Sequence, residues 1–219
     1  LHAGNSLSEN FPDALLYVDL QGDGDSPKAP SDVLETWLRA FGLAPSEIPI
    51  TLEAKRSSFL TQIRHQKALI VLDNAHNENQ VRPLLPGGQD CAVLVTSRIS
   101  LTALKGVQEI RLTPLPQKDS LNLLSTLAGS ARVQTEYTAA EDIVRLCGHL
   151  PLAIRIAGGT LREKSHWGLK VDYLPLLRDE KKRIKQLKQL RGEDVRASFS
   201  LSYQQLSKPE QQLFSLLGA

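Results

Sequence analysis

Apolar positions along this chain change their spacing near residue 114. Before it they come in short runs closed by polar or turn-forming residues, and after it they recur every three or four positions. The first run, 15–20, predicts a strand, and the Gly, Pro and Asp-rich stretch 21–30 predicts a loop ending at Ser31 as a helix cap. Val33, Leu34, Trp37, Leu38 and Phe41 then fall at helical spacing, and a second helix is expected over 52–66 with Phe59, Leu60 and Ile63 turned inward. Further strands are expected at 68–73, 91–96 and 107–112.

From Pro114, Leu115 and Pro116 onward the pattern is helical. Thr138 with Glu141 reads as a capping box ahead of Ile143, Val144 and Cys147. That helix should stop at Gly148, and the next should open with Pro151 in its first turn and carry Ile154 and Ile156 until Gly158 and Gly159 loosen it. A long basic helix is expected over 171–190, with Arg178, Lys181, Lys182, Arg183, Lys185 and Lys188 in its second half. Two more helices follow over 195–217, the second capped by Ser207 with Glu210 three residues on.

Three segments carry chemistry, in the order KALIVLDNAH (67–76), AVLVTSR (92–98) and GHLPLA (148–153). The first is a run of buried-type residues delivering the Asp73 carboxylate to the carboxyl edge of a parallel sheet, where such an acid holds magnesium in nucleotide-binding proteins. The second ends in Thr96, Ser97 and Arg98 at the same edge, and a guanidinium there can meet a terminal phosphate. Taken singly, each describes an ordinary strand running into a turn. Their order and spacing together are distinctive.

With these motifs the chain resembles the NB-ARC family of STAND nucleotide switches, within the P-loop NTPase class, and in particular its bacterial branch of large multidomain regulators. The resemblance spans nearly all 219 residues and includes FPDALLYVDLQG (11–22), VRPLLPGGQDCAVLVTSR (81–98), RLTPLP (111–116), RLCGHLPLAIRIAGG (145–159) and VRASFSLSYQQLSKPEQQLFSLLG (195–218). It implies an α/β fold: the remainder of a P-loop NTPase parallel sheet without its central P-loop strand, then an all-helical lid and the beginning of a winged-helix domain. The implied domains are 1–113, 114–192 and 193–219. The resemblance also makes Asp73 the Walker B carboxylate that holds Mg2+ through water, Arg98 the arginine that reads the terminal phosphate, Thr96 its neighbour at the nucleotide, and Pro151 the residue packing on adenine.

Two departures from the family pattern matter. Asn74 stands where many members have a second acid, and an amide is no general base at neutral pH, so the intact protein is expected to be at most a slow ATPase. The G-x-x-x-x-G-K-S/T loop that supplies most phosphate contacts is not in the sequence; Gly4 stands alone with no lysine near it. Because the chain opens with Leu1 and contains no methionine, truncation just after that loop is expected, leaving an unstable fragment with backbone groups unpaired inside the sheet. The resemblance implies that the missing strand is central, between those ending near Thr96 and Leu112. The family's regulatory histidine then lies past Ala219. His76, nearest the site of the five histidines, reads as a loop residue.

Charge changes this picture only slightly. The net charge is +2, split between nine Lys and Arg against thirteen Asp and Glu up to residue 110 and seventeen against eleven after it. The basic helix could meet DNA phosphates, but it lacks a base-reading pattern and reads as a solvated face, leaving DNA to domains outside this chain. Cys91 and Cys147 have neither metal nor disulfide spacing and read as small buried hydrophobes in a reducing cytosol. No apolar stretch reaches the roughly 18 residues of a membrane span, and the expected location is cytoplasmic. The functional expectation is an ADP/ATP switch with Mg2+, acting with downstream repeat or effector domains and able to form a homo-oligomer on activation. The alternative is a nucleotide-independent scaffold with relic site residues, and a DNA-binding winged-helix module is disfavoured.

Overall fold

The computed structural model describes residues 8–24, 26–88, 90–179 and 208. The chain divides into two compact units, Leu1–Ile110 and Arg111–Ala219, the first α/β and the second helical where described.

In the first unit, β1 (Ala14–Asp19), β2 (Ala68–Ala75) and β3 (Ala92–Ser97) form a parallel sheet in the order β1-β2-β3. Between β1 and β2 run α1 (Pro30–Ala40) and α2 (Leu52–Ile63), and the short α3 (Glu78–Val81) follows β2. The core gathers Leu16, Ile70 and Leu72 from the sheet with Leu34, Trp37 and Phe59 from the helices. Such runs, buried on both faces, are the mark of parallel strands, and β2 is buried from Ala68 through Leu72.

The helix α1 starts one residue earlier than its cap was expected. Pro30, with φ preset and no N–H to satisfy, takes the first turn, and Ala29 is the N-cap without a side-chain bond. The Ser31 hydroxyl instead accepts from Lys55 Nζ at 3.0 Å. The strand expected at 107–112 is not formed: the segment joins no ladder with β1, β2 or β3, and Val107, Ile110 and Leu112 are exposed.

The second unit comprises α4 (Gln117–Ala128), α5 (Ser130–Thr135), α6 (Tyr137–Leu146), α7 (Pro151–Glu163), a π-helical turn at Leu169–Tyr173 and α8 (Leu174–Arg178). Its own core includes Leu124, Ile143, Ile154, Ala157 and Tyr173. The capping box at Thr138 is not formed, because α5 runs into α6 with only Glu136 between them. Glu136 accepts from the backbone N–H groups of Leu169 and Lys170, and Glu141 from Gln117. Gly158 and Gly159 lie inside an unbroken, buried helix rather than loosening it. The long helix expected from 171 is replaced by the π turn and the short α8, whose first turn holds Pro175 and whose end is the extended Asp179. Its basic second half past Arg178 lies outside the described residues, as does the expected winged-helix segment 193–219 apart from Lys208. No helix among the described residues is long and apolar enough to cross a membrane.

Candidate functional site

The carboxyl edge of the sheet is shaped by an irregularity in β2. Leu72 pairs with Val95 but Ala75 pairs with Ser97, so Asp73 and Asn74 together oppose the single residue Thr96. A bulge of this kind re-aims side chains at a strand end. The extra residue is accommodated by Asn74 at φ +55°, a left-handed conformation that asparagine tolerates better than most side chains. Both β2 residues then converge on one hydroxyl: Thr96 Oγ1 donates to Asp73 Oδ1 and accepts from the Asn74 backbone N–H at 2.9 Å.

Asp73 is half-buried, and its other carboxylate oxygen accepts from the Tyr17 hydroxyl at 3.4 Å. Asp19, its register partner on β1, brings a second carboxylate to the edge and accepts from the Gln21 backbone N–H at 2.9 Å. The Tyr17 phenol is pushed up from its ordinary value, chiefly by desolvation and then by the charges of Asp73 and Asp19.

The loop after β1 lies across this edge. Leu20 and Gly22 donate their backbone N–H groups to the carbonyls of Asp73 and Asn74 at 2.8 and 2.7 Å. His76 Nδ1 lies 2.8 Å from the Gly22 carbonyl, and the buried Gln80 amide donates to the carbonyls of Leu20 and Lys28, each at 2.9 Å. His76 thus acts as a strap. Gly22 is required by closeness: a Cβ there would stand 2.4 Å from the His76 backbone nitrogen. The same loop carries Asp23, which accepts from the Asn74 side-chain amide and from Arg98 Nη2 at 3.1 Å.

The structure therefore brings Asp73, Thr96 and Arg98 to one edge, with Asn74 and Asp23 linking them. Pro151 lies in the second unit as the exposed first residue of α7, after a turn in which Gly148 and His149 both adopt positive φ. His149 is held there by its carbonyl, which accepts from Leu115 at 3.0 Å, and by its Nδ1, 3.1 Å from the Ser120 hydroxyl. Sequence reasoning missed Asp23, Asp19 and Tyr17, although parallel neighbours ending at one edge put the β1 loop beside Asp73. Cys147 is buried as expected; Cys91 is half-buried one residue before β3, and burial raises its thiol.

Among the described residues no cluster of three or more His, Cys, Asp or Glu side chains could hold a metal by itself. The donor set fits magnesium bound the way it usually is beside phosphates, through one carboxylate and retained waters, with Asp73 as the hard oxygen donor and Thr96 holding its carboxylate. Arg98 supplies the planar donor fork that suits phosphate oxygens.

This parallel sheet with acid, hydroxyl and guanidinium at its carboxyl edge, followed by a helical unit, fits the P-loop NTPase class of α/β proteins. No family model matches the chain. It is 41% identical to the regulatory protein AfsR of Streptomyces griseus and 40% identical to AfsR of Streptomyces coelicolor, each over 218 residues. Those alignments cover this entire chain but only 22% of either relative, so the chain spans about a fifth of their length. A probable disease resistance protein of Arabidopsis thaliana, RF45, is 29% identical over 128 residues, 52% of this chain and 13% of that protein.

Proposed function

We propose that this chain is the nucleotide-binding and lid portion of an NB-ARC switch within a larger cytoplasmic regulator of signalling or transcription, gated by exchange between ADP and ATP. The observation that carries the reading is that Asp73 from the end of β2 meets Thr96 and Arg98 from the end of β3 on one edge of a parallel sheet. Similarity to AfsR across the whole chain supports the regulatory part.

In this reading Asp73 holds magnesium through water, and Thr96 fixes the carboxylate by donating to one of its oxygens. Arg98 answers to the terminal phosphate, and Pro151 packs on the base. The bound nucleotide contributes a polyanion whose length differs between its two forms. A switch follows only if the two forms bind the two protein states with different affinity, and Arg98 and Asp73 are the groups whose charges answer to that difference, the one to the terminal phosphate and the other to its magnesium. Asn74 donates its amide to Asp23 and does not serve as a base, which keeps any hydrolysis slow. The second reading, a nucleotide-independent scaffold, draws on that same residue.

The test is to titrate fluorescent ADP and ATP, with and without Mg2+, into the full natural protein containing this chain. Asp73→Ala should remove the magnesium dependence. Arg98→Ala should weaken ATP by about ten- to hundredfold, the worth of a hydrogen bond to a charged group, with much less effect on ADP. Absence of binding by either nucleotide would leave the scaffold reading standing.

A further inference from the structure

Resting on the nucleotide-site reading, we infer that Asp23 is a positioning residue for Arg98: it sets the guanidinium's direction at the sheet edge and thereby the preference for a triphosphate over a diphosphate. The contact joins residues 75 positions apart, Arg98 Nη2 donating to Asp23 Oδ2 at 3.1 Å. The Arg98 side chain is 33% exposed and that of Asp23 20%, so solvent screens the pair in part and its worth lies in direction rather than in strength.

What makes Asp23 a fixed reference is how it is held. Its second oxygen accepts from the Asn74 amide, at the bulge beside Asp73. The backbone one residue earlier is tied to the Asn74 carbonyl at 2.7 Å, and to His76 Nδ1, 2.8 Å from the Gly22 carbonyl. That approach is open only to glycine at 22, since a Cβ would meet backbone atoms of Asn74, Ala75 and His76 at 2.4–2.5 Å. The loop is thus pressed onto the end of β2, and its carboxylate faces the arginine at the end of β3. Asn74 also gains a use here: its amide anchors the acid that orients the phosphate-reading group. An arginine has several rotatable bonds, and a fixed carboxylate beside its fork reduces the orientational freedom lost when a phosphate binds.

The experiment titrates ATP and ADP into the full natural protein carrying Asp23→Ala, Asp23→Asn, Arg98→Ala or Asp23→Ala with Arg98→Ala, with thermal melting of each. Asp23→Ala is expected to weaken ATP about tenfold, as for other partners that orient a binding group, while ADP affinity and the melting temperature stay within error. Asp23→Asn, which keeps an acceptor oxygen, should recover part of the loss, and the double change should be no worse than Arg98→Ala alone. ATP binding unchanged or tightened in Asp23→Ala, while Arg98→Ala still weakens it, would overturn the positioning inference and leave the nucleotide site intact. Equal weakening of both nucleotides with a lowered melting temperature would reduce Asp23 to a structural part. If Arg98→Ala itself has no effect on ATP, the underlying reading and this inference fall together.

Discussion

Glu35 answers two cations at once, Arg39 at 2.6 Å one turn along α1 and Lys55 at 2.7 Å from α2. Lys55 is almost fully buried, and its ammonium is met by the Glu35 carboxylate and by the hydroxyl and carbonyl of Ser31. The hydrogen bond from Lys55, then its charge, then Arg39 hold the Glu35 carboxyl below its ordinary value. A carboxyl lowered on folding contributes stability that is complete above the unfolded value, about 4.3, and is lost as pH falls through the lower folded one. The stability gap between the natural sequence and Glu35→Gln should therefore be constant near neutrality and shrink below about pH 4. Denaturant unfolding across pH measures it, and a gap independent of pH would refute the coupling. Trp37 was legible as a core residue from helical spacing, whereas the burial of Lys55 was not, because polarity in sequence says nothing of a partner 20 residues away on another helix.

At the scale of elements, the packing of α4 against α7 turns on Gly158. A Cβ at that position would stand 2.5 Å from Leu127 Cβ, too near its helix for the leucine to swing aside. Gly158→Ala should therefore cost about 1–3 kcal/mol, the range for overpacking, despite the better helix propensity of alanine. Thermal unfolding monitored by circular dichroism decides the sign, and a stabilised variant would show that propensity wins. Propensity misread this residue as a weak point in the helix, and the same blindness applies to the bulge in β2, which lies in an apolar run ending in Asp, indistinguishable by period from a regular strand. The turn of Gly148 and His149 before Pro151 was legible, because a left-handed helix end followed by proline is written in consecutive residues.

For the molecule as a whole, two separate cores each hold one tryptophan. Trp37 packs on Phe59 with ring centroids 5.2 Å apart, and Trp167 lies 6.4 Å from Tyr173. Phe59→Ala should cost about 3–5 kcal/mol and lower the transition followed by Trp37 fluorescence in a Trp167→Phe background. Ile143→Ala, at about 2–5 kcal/mol, should lower the one followed by Trp167 in a Trp37→Phe background. Each change is expected to leave the other reporter's transition nearly in place. Equal movement of both reporters would mean one cooperative core.

The sequence alone determined the parallel character of the strands, the change from α/β to helical units, and the arrival of Asp73 and Thr96 at strand ends. Each is written in a short window, as a run of buried-type residues with a polar close or as a change of period. Tertiary structure alone decided that Thr96 bonds Asp73 across the bulge, that a loop glycine admits Asp23 to Arg98, that Lys55 is buried, and that residues 107–112 make no ladder. These depend on contacts between segments 20 to 75 positions apart, and such contacts leave no periodic mark in the chain that makes them.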